Sequence, residues 1–235
     1  MTVVQEIRAR LRKLGTKQRA EVSQRFFKTG PREYGEGDIF LGITVPDIRK
    51  LAKEYQDLSP AETIQLLQST IHEERLLALL LLVRTYARGD GHTKKRIYEL
   101  YLKNTRHVNN WDLVDASAEH IVGSFLMGKN KKSLYVLAQS SDLWERRIAI
   151  MATFHFIKRN EFAETLKIAR MLLSDTEDLI HKAVGWMLRE VGKRHLQSEE
   201  RFLKEHYKKM PRTMLRYAIE RFPEAKRQRY LKGEI

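Results

Sequence analysis

Arg75-Leu76-Leu77-Ala78-Leu79, a basic residue leading into an apolar run, returns later as Arg147-Ile148-Ala149-Ile150-Met151 and as Lys182-Ala183-Val184-Gly185-Trp186. The offsets of 72 and 35 residues fit a period of about 36 with one repeat skipped, and residue 111 falls in the skipped slot. Paired helices at this period are the mark of HEAT- or armadillo-like solenoids, in which each repeat buries its apolar face on its neighbours. No Pro/Gly-rich linker interrupts the pattern. The expectation is therefore a single domain over residues 1–235, an all-α, curved right-handed α-solenoid of HEAT-like repeats.

Working outward, apolar residues recur at helical spacing and convincing period-2 strands are absent. Val4, Ile7, Leu11 and Leu14 predict a first helix, and Arg19 to Lys28 a second. Thr29–Ile39, with Gly30-Pro31, Gly35 and Gly37, reads as the longest loop. Pro46 and Pro60 sit at first-turn positions of the next two helices. His72–Arg88 is a long apolar helix, followed by His92–Lys103. One continuous helix is predicted over Asp142–Arg159, opened by a capping box of Asp142 and Glu145. Glu161–Leu173, Thr176–Lys193, Glu199–Tyr207 and short C-terminal helices complete the chain, with Pro211 and Pro223 as breakers.

Composition excludes several classes. There are no cysteines, which removes disulfides, thiolate catalysis and Cys-ligated zinc. Leu76–Val83 is too short to span a membrane, and Met1–Leu14 is charged rather than a signal core, so a cytoplasmic protein is expected. The net charge is +14, and it is unevenly placed. Residues 1–32 carry nine Lys/Arg against two acids, residues 193–235 thirteen against six, and the middle sums to zero. Basic charge at both ends suits a polyanion, with nucleic acid the leading partner and no membrane surface. Solvated, functionless termini are the plainer explanation of the same charges.

Asn109-Asn110-Trp111-Asp112-Leu113-Val114-Asp115 holds the candidate chemistry. Asn110 is a good N-cap, and Asp112 is favoured in the first turn by the helix dipole. Trp111 and Asp115, four apart, share one face of a helix that begins there. The pair is either a core Trp beside an ion-paired Asp or a cation-binding site. Trp186 similarly has Arg189 three residues on, whereas Trp144 is assigned to packing. Arg147 opens an apolar run, where an arginine sits only if paired or exposed in a groove, and Asp115 is a candidate partner. Gly123–Asn130 approximates a phosphate-binding loop but has Asn130 where Ser/Thr is needed and no preceding strand; it reads instead as a helix-to-helix turn with Gly128 near a C-cap. The eight histidines never fall at ligand spacing, and no nucleophile elbow occurs, so no metal is expected.

Trp111-Asp-Leu-Val-Asp115, Leu143-Trp-Glu-Arg-Arg147-Ile-Ala-Ile150 and Lys182-Ala-Val-Gly-Trp186-Met-Leu-Arg189-Glu190 together resemble the AlkD family of bacterial alkylpurine DNA glycosylases, in order and spacing over most of the chain. The resemblance implies a basic concave groove for duplex DNA and excision of cationic lesions such as 3-methyladenine and 7-methylguanine, with no metal or cofactor. It places the catalytic carboxylate on Asp115, the flanking tryptophans on Trp111 and Trp186, the active-site arginine on Arg147 and a backbone-contacting arginine on Arg189. Two positions depart from the family pattern: Asn110 replaces a second tryptophan, and Phe26 replaces a tyrosine that approaches DNA.

The residues suit that chemistry. Cleaving a base from deoxyribose builds positive charge on the sugar, which a fixed carboxylate stabilises. A cationic purine leaves neutral, so a general acid is dispensable. Two alternatives remain: a non-catalytic helical-repeat protein that binds distorted or branched DNA, and a protein-binding scaffold. A monomer is expected.

Overall fold

In the computed structural model, which describes residues 2–235, the chain is all-helical, as the periodicity predicts. Among the described residues the only β pairing is one isolated parallel bridge, Ile39 with Ile71. The helices gather into two compact units, the first ending at Ser117 and the second Ala118–Ile235.

The first unit contains α1 (Val3–Leu14), α2 (Lys17–Phe26), α3 (Val45–Glu54), α4 (Pro60–Leu67), α5 (His72–Arg88), α6 (Gly91–Lys103) and the short α7 (Trp111–Asp115). Its hub is α5, which packs on α1, α3, α4, α6 and α7. Leu76, Leu77, Ala78, Leu79, Leu81 and Leu82 are all buried, which is why the helix reads as apolar on every side. Its first turn is different: His72, Glu73, Glu74 and Arg75 are four consecutive buried polar residues, and each must find a partner in place of water. The Glu73 carboxylate accepts from the backbone N–H groups of Leu41 (2.9 Å), Gly42 (2.8 Å) and Ile43 (3.2 Å). Glu74 accepts from Arg8 Nε at 3.0 Å. Thus the first turn of α5 fixes the end of the long loop between α2 and α3, which runs on past the Thr29–Ile39 stretch that the Gly/Pro content predicts. Gly42 has φ +79° in that loop, and a Cβ there would meet Thr16 O and Ala20 N at 2.4 Å. Only glycine fits.

The second unit opens with a π-type turn over Glu119–Gly123, then α8 (Ser124–Leu126), α9 (Lys132–Ala138), α10 (Leu143–Ala152), α11 (Phe154–Ile157), α12 (Ala163–Met171), α13 (Asp178–Gly192), α14 (Leu196–His206), α15 (Arg212–Ala218) and α16 (Glu224–Lys232). Here α13 is the hub, packing on α10, α12, α14 and α15. Gly128 has φ +68°, the left-handed stop of a helix-to-helix turn.

One predicted helix differs, at its middle and at its cap. The Asp142–Arg159 helix breaks at Thr153, whose hydroxyl donates to Ile150 O at 2.7 Å and so competes with the continuing helical pattern. Asp142 does cap α10, but it accepts from Trp144 N (2.7 Å) and not from Glu145 N, so the reciprocal box is not formed as predicted. Among the described residues no helix is long and apolar enough to cross a membrane.

Candidate functional site

The first turn of α7 is built from its cap outward. Asn110 is fully buried; its Oδ1 accepts from Trp111 N at 2.8 Å and its Nδ2 donates to Asp38 at 3.2 Å. The N-cap predicted from sequence is therefore also a tether to the long loop. Leu113 and Val114 are buried, while Trp111 and Asp115 remain half-buried one turn apart. Ser117 ends the turn by donating to Leu113 O at 2.6 Å. In consequence α7 is a single turn, Trp111–Asp115.

Trp111 is held between two aromatic rings. It stacks on Phe27 with centroids 5.3 Å apart and planes 18° from parallel, and Phe26 meets it edge-on at 5.9 Å. Phe26 itself is 64% exposed, on a helix α2 that buries no residue at all. An exposed phenyl next to a half-exposed indole, on a helix with Lys17, Arg19 and Arg25, is an apolar ledge in basic surroundings. On the side of Asp115, the buried Tyr101 hydroxyl lies 3.0 Å from Ser117 Oγ. Burial raises the Tyr101 pKa far above its ordinary value; the Ser117 hydrogen bond opposes this and the nearby Asp115 charge adds to it.

Beneath this turn sits a buried ionic cluster that no sequence spacing announces. His72 Nε2 is 2.8 Å from Asp112, and Nδ1 is 2.9 Å from Asp38. Asp38 is also paired with Arg75 and receives the Asn110 amide. Burial alone raises the Asp38 pKa, but His72 and Arg75 more than reverse it and hold the group below the usual carboxylate range. For His72, burial pushes the pKa down, and the hydrogen bonds to Asp112 and Asp38 outweigh it, for a net rise. Phe40 stacks on the imidazole at 4.4 Å and Phe27 covers it at 5.1 Å.

In the second unit, Arg147 is buried on α10, and Nη1 donates to Leu179 O on α13 at 2.7 Å. Trp186 is half-buried on α13 with Phe154 6.0 Å away. One turn further along α13, the Glu190 carboxylate is held by Lys193 (2.6 Å) and Arg194 (3.1 Å). Burial raises the Glu190 pKa, yet these bonds lower it overall. Arg189, predicted to keep Trp186 company, is ion-paired with Glu220 instead. Trp144 is buried, as its assignment to packing requires.

The structure thus brings Phe26, Trp111 and Asp115 together in the first unit. Arg147, Trp186 and Arg189 lie on two packed helices of the second. Sequence reasoning missed His72, Asp38 and Phe27, and saw Asp112 only as a dipole partner. The one available signal was four polar residues in a row at the head of an apolar helix. Among the described residues no cluster of His, Asp and Glu has the arrangement of a metal site.

A family model described as DNA alkylation repair enzyme matches residues 7–222. Among solved structures, a predicted DNA alkylation repair enzyme from Enterococcus faecalis is similar with a TM-score of 0.68 and 19% identity, over 89% of this chain and 97% of that one. AlkD2 from Streptococcus mutans is similar at 0.55 and 18%, over 88% and 99%. The smu.31 protein of Streptococcus mutans UA159 gives 0.55 and 19%, over 77% and 93%. At these identities the likeness shows the fold. No curated protein matches.

Proposed function

Because the chain belongs to the DNA alkylation repair enzyme family, we propose that it is a monofunctional DNA glycosylase hydrolysing the N-glycosidic bond of cationic alkylated purines, 3-methyladenine and 7-methylguanine among them, in duplex DNA. The observation that carries this reading is the half-buried Asp115 one helical turn from the half-exposed Trp111. A carboxylate and an indole on one face attract a cation and stabilise a developing one.

In this mechanism the base departs with the bonding electron pair and becomes neutral, because its alkylation already supplies the positive charge. The deoxyribose acquires oxocarbenium character. Asp115 stabilises that charge and orients the water that attacks the anomeric carbon, accepting its proton before passing it to solvent. Trp111 and Trp186 hold the cationic nucleotide through their π faces, worth about 0.5–2 kcal/mol each. Arg147 and Arg189 bind phosphates and set register, and Phe26 supports the duplex next to Trp111. Neither metal nor cofactor takes part. A net charge of +14, concentrated at the two ends of the chain, supplies the sequence-independent attraction to DNA.

The test is base release from methylated duplex DNA, followed together with binding at several salt concentrations. Release of methylated purines with steeply salt-dependent binding supports the glycosylase. Binding without release assigns the chain to recognition of distorted or branched DNA, and neither activity overturns both readings.

A further inference from the structure

Resting on that reading, we infer that His72 is a positioning residue for the catalytic turn: as an imidazolium bridging Asp38 and Asp112, it fixes the start of α7 and so the placement of Trp111 and Asp115. His72 touches no reacting group. Its effect runs through two paths that converge on one turn. Asp112, bonded to Nε2 at 2.8 Å, belongs to the first turn of α7. Asp38, bonded to Nδ1 at 2.9 Å, also accepts from the amide of Asn110, the N-cap of that turn. A third contact is through the rings: the imidazole lies under Phe27, and Phe27 lies under Trp111.

The charge count explains why the protonated form is required. An ionised carboxylate is acceptor-only, whereas neutral imidazole has one N–H and one lone pair. With a carboxylate on each ring nitrogen, only the doubly protonated ring donates to both. Around it stand Asp38 and Asp112 as anions and Arg75 as a cation, so the cluster is neutral only when His72 is charged. The other groups packed nearby are engaged elsewhere: Glu73 by the backbone of Leu41–Ile43, and Glu74 by Arg8. Phe27, Phe40 and Asn110 contribute no charge. His72 is 2% exposed, so a lost proton leaves its lone pair facing a carboxylate that is itself only 16% exposed, which is costly.

Sign and direction follow. The folded-state pKa is raised, so the contribution is fully present below the ordinary histidine value and is lost as pH rises through the higher folded value. Deprotonation releases Asp112, and with it the grip on the first turn of α7.

The experiment uses the full chain labelled with fluorotryptophan and observed by fluorine NMR, the Trp111 resonance being assigned with Trp111→Phe. The Trp111 resonance is expected to titrate with a midpoint above the ordinary histidine value, with the Trp144 and Trp186 resonances unmoved. Asp112→Asn lowers the midpoint of that titration, and His72→Gln, which can donate to one carboxylate only, abolishes it. In parallel, His72→Gln slows single-turnover base release by about ten- to a hundred-fold, the cost of a slightly misplaced catalytic group, with DNA affinity little changed. A Trp111 resonance that ignores pH in the wild type overturns the inference, and this arm needs no variant to fold. If Trp111 titrates as described but the wild type releases no base, the glycosylase reading fails while the positioning role of His72 stands. If base release by the wild type is intact and His72→Gln matches it in rate, the inference fails alone.

Discussion

The indole of Trp111 stacks face to face on Phe27, with ring centroids 5.3 Å apart and planes 18° from parallel. Phe27 follows directly after α2 and also stacks on Phe40 at 4.9 Å. The orientation of the candidate lesion-facing indole is therefore set by a residue some 84 positions away in the chain, not by its own helix turn. Phe27→Leu keeps apolar volume but removes the stack. It is expected to cost about 1 kcal/mol of stability by urea unfolding, together with a change in tryptophan emission that is absent in the Trp111→Phe background.

Glu73 shows what burying a charge demands. Its carboxylate is 3% exposed and collects the amides of Leu41, Gly42 and Ile43. Glu73→Gln replaces one acceptor oxygen by a donor group that faces those N–H groups. The expected loss is about 1.5–3 kcal/mol, read from equilibrium unfolding, with accelerated amide exchange in residues 41–43.

The helices were legible because their apolar spacing is local. Val4, Ile7 and Leu11 are buried on one stripe of α1, and the bounds of α5 are those its sequence pattern predicts. The break at Thr153 was not legible, since a threonine hydroxyl bonding back to the chain leaves the hydrophobic period unchanged. Site residues divide the same way. Trp111 and Asp115 are four apart and could be seen as one face. Asp38, His72 and Asp112 are 34 and 40 residues apart in succession, so no local spacing marks a histidine whose partners come from a loop and another helix. The partner of Arg189 is not legible either, because nothing local points to Glu220 in a distant helical turn.

The pairing of Arg189 with Glu220 carries its own prediction. Glu220 occupies the guanidinium that DNA phosphate is proposed to take, and its side chain is 49% exposed. Glu220→Gln is expected to tighten duplex binding a few-fold, on the order of 1 kcal/mol or less for a carboxylate this exposed. The gain should vanish at high salt and in an Arg189→Ala background, as measured by fluorescence anisotropy with labelled DNA.

Glu199 gives a pH dependence of opposite origin to that of His72. It is 2% exposed, its Oε1 has no hydrogen-bond partner, and burial, reinforced by Glu200, pushes its pKa up to about 8 against the pull of Arg189 and Lys226. The unfolded chain ionises this group above its ordinary 4.5, whereas the folded chain keeps the proton. Stability contributed by the protonated form is therefore present below pH 4.5 and lost progressively as pH rises to about 8. Glu199→Gln carries no titratable proton and should be more stable than wild type by at least about 1 kcal/mol at neutral to mildly alkaline pH. Unfolding midpoints measured across that window should converge at its acidic end.

The central claim is that Asp115 performs the chemistry, and the most direct measurement is single-turnover release of methylated purines from alkylated duplex DNA by wild type and Asp115→Asn, with affinity followed on the same substrate. Asparagine keeps the shape and removes the charge. The expected result is release slowed by about a hundred-fold or more with affinity essentially retained. Release by Asp115→Asn at close to the wild-type rate would contradict the account.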